Sequence, residues 1–268
     1  MAAPETTDQF IATHASADDA ELARALVTHA GELALHMRDE GLSTDYKTSI
    51  SDVVTDADRA AESFTTTVLE ALRPADGIVG EEGAAKVSES GRTWVIDPVD
   101  GTFNFSQGSD YFCSALALTG GDEIVVGAVS RPATQTTWVA THGVATRNGR
   151  ELGRLREASI SEEALVTYLH PTFMRDDAVR ETWLSVARDA ATLRMGGAGS
   201  IDLANIASGQ FGAWLQHSVA DWDWLPGKAL IEAVGGTATK VDAGGVRWCV
   251  AGNARMVDDI AARLNSHA

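Results

Sequence analysis

The sequence predicts a layered α/β protein, with helices packed on a mostly antiparallel sheet in its first part and an α/β layer in its second. Three observations carry that prediction. Apolar residues near the N-terminus recur at helical spacing, short apolar runs punctuated by acids and glycine turns follow from Gly77 to Ala140, and strand-like runs alternate with helical ones after about Ser159. A chain of 268 residues can bury roughly three quarters of its unfolded surface, enough for a sizeable core.

Taken in order, Leu22, Ala25, Leu26, His29 and Leu33 mark a first helix from Asp18 to about Met37. Ser16 and Asp19 act as its capping pair, and Gly41 closes it. A second helix spans about Asp56 to Leu72, with acids at its start and Pro74 beyond its end. Gly77 to Gly80 and Trp94 to Ile96 read as buried strands with polar ends. Tyr111 to Leu118, Glu123 to Val129 and Thr136 to Ala140 read as strands, the first two joined by the hairpin turn Thr119-Gly-Gly-Asp122; Asn148-Gly149 marks another turn. Strands are then expected at Leu165 to Tyr168, Phe211 to Gln216, Thr237 to Val241 and Trp248 to Ala251. Helices are expected at Asp177 to Ala190, Ser200 to Ser208, Trp224 to Val234 and up to Asn265.

With 21 basic and 38 acidic residues the formal net charge is −17. Such a chain repels a nucleic acid polymer or an anionic membrane. A small anionic substrate stays open, provided local cations receive it. No apolar run approaches the ~18 residues of a membrane span, and Met1 to Asp19 lacks the pattern of a signal peptide. Two cysteines, Cys113 and Cys249, make no disulfide framework. The expectation is a soluble, cytoplasmic protein.

The chemistry concentrates in Trp94-Val-Ile-Asp-Pro-Val-Asp-Gly-Thr-Phe-Asn-Phe105. An apolar strand ends in Asp97, Pro98 is expected to stop the ladder, and Asp100 follows three residues on. Gly101-Thr102 then permits close backbone approach and a helical turn with free N–H groups. Carboxylates beside an anion site repel it unless a cation intervenes, and hard divalent ions take such oxygens. Gly80-Glu81-Glu82-Gly83 and Trp222-Asp223 each place a further acid at an element end. Read singly, Glu81 and Glu82 suit a solvated turn, Asp223 suits a helix N-cap, and Asp97 with Asp100 suits a structural Asp-Pro turn.

In combination these segments, with Ser51-Asp-Val-Val-Thr-Asp-Ala-Asp58 and Arg194-Met-Gly-Gly-Ala-Gly-Ser-Ile-Asp-Leu203, resemble the inositol monophosphatase family of metal-dependent, lithium-sensitive phosphatases. The resemblance spans most of the chain. It implies an αβαβα sandwich of the sugar phosphatase type, an N-terminal α+β portion (1–155), a C-terminal α/β portion (156–268) and a homodimer. It further implies two or three Mg²⁺ ions. Glu81, Asp97 and the Val99 carbonyl would hold one, and Asp97, Asp100 and Asp223 a second. The N–H groups of Gly101 and Thr102 would receive phosphate, while Thr102, Asp58 and Glu81 would orient and deprotonate the attacking water. Asp52 would support them. The implied reaction is hydrolysis of a small polyol phosphate, inositol 1-phosphate first. Histidinol phosphate, fructose 1,6-bisphosphate and 3′-phosphoadenosine nucleotides are the alternatives on the same scaffold. Bare acid pairs would also suit a metal-free glycoside hydrolase, or a non-catalytic metal-binding protein.

Asp100, Gly101, Thr102, Gly197, Ala198, Gly199, Gln216 and Asp223 are the expected substrate contacts. Three of the segments depart from the family's pattern. Gln216 stands where inositol-specific members carry a glutamate, Ala198 stands where a hydroxyl residue is common, and Trp224-Leu225-Pro226 replaces small residues. Arg194 reads as a structural ion pair, and the histidines show no metal spacing.

Overall fold

The computed structural model describes residues 5–41, 44–46 and 53–267, with residues 44–46, 53 and 54 described by backbone only. Helices α1 (Thr7–His14) and α2 (Asp19–Glu40) come first, followed by the paired strands β1 (Thr44–Tyr46) and β2 (Val53–Thr55) and by helix α3 (Asp56–Leu72). Then come β3 (Gly77–Gly80), β4 (Ala85–Lys86), β5 (Arg92–Asp100), the short α4 (Thr102–Ser106), β6 (Cys113–Gly120), β7 (Glu123–Arg131), β8 (Thr136–Thr141), β9 (Val144–Arg147) and β10 (Arg150–Glu151). The remainder is β11 (Ala164–Thr167), α5 (Asp177–Ala187), β12 (Thr192–Arg194), α6 (Gly199–Ala207), β13 (Ala213–His217), α7 (Asp221–Ala233), β14 (Thr237–Ala243), β15 (Val246–Gly252) and α8 (Ala254–Asn265).

Among the described residues one sheet runs in the order β10-β9-β8-β7-β6-β5-β3-β4, and a second in the order β12-β11-β13-β15-β14. The first is antiparallel except for the β3–β5 pair, as the polar-ended apolar runs predict. Helices α2 and α3 cover its outer face, α6 and α7 fill the space between the sheets, and α8 packs on the far face of the second sheet, beside α5. The αβαβα layering follows from this order. The outer face of each sheet has its own apolar cluster, and the largest fills the space between the sheets, where Ile201, Leu203, Trp224 and Leu230 of α6 and α7 meet Val129, Trp138 and Trp214 of the two sheets.

Local chemistry explains most boundaries. The N-cap of α2 is Asp18, paired with Glu21 in a capping box, rather than the predicted Ser16–Asp19 pair; Gly41 closes the helix at φ 109°. Helix α1 was not expected from the polar N-terminal segment; a Thr6–Gln9 capping box starts it and buried Phe10 anchors it. Helix α7 begins at Asp221, three residues before expectation, so Pro226 lies inside the helix and Asp223 is a first-turn residue; the N-cap is Ala220 rather than Asp223.

Pro98 does not end its strand. In β5, Asp97 faces Ala115 and Asp100 faces Cys113, so Pro98 and Val99 together oppose Ser114 alone. This is a β-bulge, where a residue without an N–H is tolerated. Its consequence is geometric. Residues three apart in a regular strand point to opposite faces, but the extra residue brings Asp97 and Asp100 onto the same one.

Candidate active site

Asp97, Asp100 and Asp223 each offer a carboxylate oxygen within 4.8 Å of the others. Two come from the β5 bulge and the third from the first turn of α7, so the cluster lies where the first sheet meets the middle helix layer. Asp97 is 1% exposed, and neither of its side-chain oxygens has a hydrogen-bond partner. Burial, then the nearby Glu81, Asp100 and Asp223, holds its pKa well above the ordinary carboxylate range. Burial raises Asp223 as well, followed by Asp100 and Glu81. An unpaired buried carboxylate is costly. A cation bound by all three would remove both the desolvation and the mutual repulsion, so this donor set fits a hard divalent ion.

Asp100 is held differently. Its Oδ1 accepts the N–H of Gly199 at 3.1 Å and its Oδ2 accepts that of Ser200, with the Cys113 thiol 3.8 Å away. These are the first N–H groups of α6, so a residue of the first sheet caps a helix of the middle layer. Burial still raises its pKa, against the lowering by these donors.

Thr102 opens α4. Its hydroxyl lies 2.8 Å from the Val99 carbonyl and 3.2 Å from Asp58 Oδ1. Asp58 is fully buried in the first turn of α3, where Thr55 donates to its Oδ2 through both backbone N–H (2.9 Å) and hydroxyl. Burial pushes Asp58 up to about 6, the Thr55 bonds opposing it. A capping residue of one helix thereby reaches the first residue of another. Asp52 lies outside the described residues.

Gly101 is the N-cap of α4 at φ 89°, and a Cβ there would sit 3.0 Å from Ala198 Cβ. The first N–H groups after it have no partner within the helix, as at any helix start. That close approach corrects one expectation: Ala198 is 1% exposed and packs against Gly101, so its side chain does not reach the cavity. Gly197 and Gly199 do line it, but the Gly199 N–H is already given to Asp100.

The cavity has a volume of about 450 Å³. Glu81, Asp100, Gly101, Thr102 and Asp223 line one side; Gln216, Trp214, Tyr168 and Met195 line the other, with Phe103 and Asn104 beside the loop from Gly196 to Gly199. Asp97 and Asp58 lie beneath this lining, reached through Asp100 and Thr102 respectively. Among the described residues, no Lys, Arg or His lines the cavity. Arg194 is exposed and donates to Thr192 and Leu193 of its own strand; among the described residues it does not form the ion pair expected for it. His217, next to Gln216, faces away and packs edge-on against Phe173 and Trp248.

Sequence reasoning missed Tyr168, Phe103 and Met195. Phe103 and Met195 are 45% and 46% exposed, unusual for such side chains and therefore a visible signal only in three dimensions. It also missed Glu62 of α3, which is buried yet receives two backbone N–H groups from the turn carrying Glu81.

Comparison with known proteins agrees with the geometry. A histidinol-phosphatase from Mycobacterium tuberculosis is 32% identical over 262 residues, covering 94% of this chain and 99% of that protein. An inositol-1-monophosphatase from Rhizobium meliloti is 34% identical over 199 residues, 73% of this chain and 74% of its own length. In fold, the extragenic suppressor protein suhB from Bartonella henselae superposes with a TM-score of 0.82 at 24% identity, over 92% of this chain and 98% of that one. The profile of the inositol monophosphatase family matches residues 17–267, and the chain belongs to that family of metal-dependent phosphatases.

Proposed function

We propose that the protein is a Mg²⁺-dependent hydrolase of a small polyol phosphate monoester, with inositol 1-phosphate as the first substrate to test. The observation that carries the reading is the trio Asp97, Asp100 and Asp223, the first two buried, with unpaired oxygens on Asp97, opening into a cavity beside Gly101 and Thr102. Glu81, Asp97 and the Val99 carbonyl would hold one ion, and Asp97, Asp100 and Asp223 another. When bound, the ions neutralise phosphoryl oxygens, lower the pKa of the attacking water and stabilise the leaving alkoxide.

The chain's own residues supply position and proton transfer. The N–H groups at Gly101 and Thr102 hold phosphate at the start of α4. Thr102 presents its hydroxyl oxygen to the attacking water and passes a proton toward Asp58, whose raised pKa suits acceptance near neutral pH. Gln216 from one side of the cavity and Asp223 from the other face the leaving group's hydroxyls.

A second reading has its own observation. Phe103, Tyr168 and Met195 give the cavity mouth an apolar, ring-binding character, and neutral Gln216 stands at the polyol position. That lining suits a leaving group with a flat ring, and the histidinol-phosphatase relative covers more of this chain than the inositol-1-monophosphatase above. Histidinol phosphate is therefore the alternative substrate. Bisphosphates fit less well, because no cationic side chain lines the described cavity to receive a second phosphate.

A phosphate-release panel over these substrates, run with Mg²⁺ and with EDTA, tests both readings. The expected result is EDTA-sensitive hydrolysis of inositol 1-phosphate. Strong turnover of histidinol phosphate alone replaces the first substrate with the second, and EDTA-resistant turnover overturns the mechanism. A cytoplasmic homodimer, built of an N-terminal (1–155) and a C-terminal (156–268) portion, belongs to the same reading. The family resemblance and the two buried free cysteines support it, and light scattering checks the dimer.

A further inference from the structure

Glu62 is 5% exposed on the buried face of α3, one helical turn beyond Asp58. An acid buried at such a place needs donors. Its Oε2 accepts the N–H of Glu82 and its Oε1 that of Ala84, both at 2.8 Å. These residues belong to the turn that follows β3, itself closed by Gly80 N–H to Ala84 O at 2.8 Å and joined to β5 by Glu81 N–H to Ile96 O at 3.2 Å. The fit leaves no space: a Cβ on Gly80 would lie 2.3 Å from Glu62 Oε2. Glu81, the first residue of the turn and the neighbour of Glu82, lines the cavity and is close enough to raise the pKa values of Asp97 and Asp223.

We propose that Glu62 is a positioning residue: by holding the Glu82 and Ala84 N–H groups it aims Glu81 at the carboxylate cluster and thereby sets cation affinity there. Helix α3 then serves the site twice, through Asp58 on Thr102 and, four residues on, through Glu62 on the Glu81 turn. Two N–H groups need two acceptor oxygens. A carboxylate supplies both, whereas an amide of the same shape supplies one and turns its NH₂ against the other donor. The inference rests on the cation reading above and adds to it a residue that touches neither ion nor substrate.

The experiment is calorimetric titration of Mg²⁺ into the full-length wild type, Glu62→Gln and Asp76→Asn. Asp76 lies just before β3, at the end away from the Glu81 turn, and accepts Trp94 Nε1 at 2.9 Å and Ser90 Oγ at 2.7 Å. Its substitution therefore controls for a general loss of stability. Glu62→Gln should weaken Mg²⁺ binding by about 10- to 100-fold, the range seen when partners of metal ligands are removed. Asp76→Asn should leave the affinity within about twofold of wild type even if it lowers Tm equally. A folded Glu62→Gln protein with wild-type affinity overturns the inference, as does an equal shift in Asp76→Asn. If Glu62→Gln does not fold, Gly80→Ala, which crowds the Glu62 carboxylate, should produce the same loss of affinity; wild-type affinity in folded Gly80→Ala overturns the inference. Wild-type protein that binds no Mg²⁺ overturns the cation reading as well, so the two failures are told apart.

Discussion

The two sides of the cavity are built on opposite principles. On the β5 side, polar groups are buried and their neighbours are tied by hydrogen bonds: Asp58 to Thr55 and Thr102, Asp100 to the start of α6. On the side facing the second sheet, Phe103 and Met195 stand nearly half exposed and Gln216 only partly covered. The first arrangement suits chemistry, where charge must be held in place before the reaction begins. The second suits choice among substrates, because exposed side chains can change without unsettling what lies beneath.

The contrast predicts a graded series of effects. Asp97→Asn should abolish Mg²⁺-dependent turnover, by on the order of 10³-fold or more. In EDTA the same variant should be at least as stable as wild type, since the amide removes an unpaired buried carboxylate. Melting curves and initial rates check the pair, and residual activity above a tenth would place the chemistry elsewhere. Thr102→Ala should lower kcat by about 10²-fold with a smaller change in KM, as expected for a group that works in proton transfer. Equal losses in kcat and in binding of phosphate would show a purely structural role.

On the other side, Phe103→Ala and Gln216→Glu should alter the ratio of kcat/KM between inositol 1-phosphate and histidinol phosphate by no more than about 10-fold each, leaving kcat for the better substrate near wild type. A hundredfold loss for both substrates would erase the distinction between the two sides.

The smallest effect concerns Asp202, which links α6 to the loop before β6 by accepting the Tyr111 hydroxyl at 2.6 Å. Burial raises its pKa from 3.8 to about 7, the Tyr111 bond opposing and Asp100 reinforcing the rise. A carboxyl with a raised folded-state pKa contributes most below its unfolded value, and that contribution is lost as pH climbs from about 4 through about 7. Asp202→Asn should therefore raise Tm by about 5 °C at pH 8 and leave it nearly unchanged at pH 4, with EDTA present. An equal shift at both values would mean that the carboxyl does not titrate in this window.

What could be read in advance follows the same division. Helices α2 and α3, the longer strands of the first sheet and the acids of Trp94 to Phe105 are legible because local spacing and turn residues decide them, whereas α1 and the short strands are not. In sequence Pro98 reads as a stop, because a proline ends a regular ladder; only the register against β6 reveals a bulge. The capping of α6 by Asp100 was hidden, since donor and acceptor lie 99 and 100 residues apart. Ala198 was expected in the cavity from its segment, yet the close approach of Gly101 buries it. Glu62 did leave a trace: an acid one turn after Asp58 in a helix whose neighbours Ala61, Phe64 and Thr65 are buried asks for a partner.

The loop from Met195 to Ser200 shows how such a molecule could be retuned. Asn104 Nδ2 donates to the Gly196 carbonyl at 2.9 Å, the N–H groups of Gly199 and Ser200 belong to Asp100, and a Cβ on Gly196 would meet the Tyr111 ring at 2.5 Å. Several backbone groups of the loop are thus already assigned, while Met195 at its head touches the cavity and remains open to solvent. Met195 is therefore the side chain there that an engineer seeking a new substrate can vary most freely, and a library confined to Met195 and Phe103 should change preference while leaving the fold's two sheets in register.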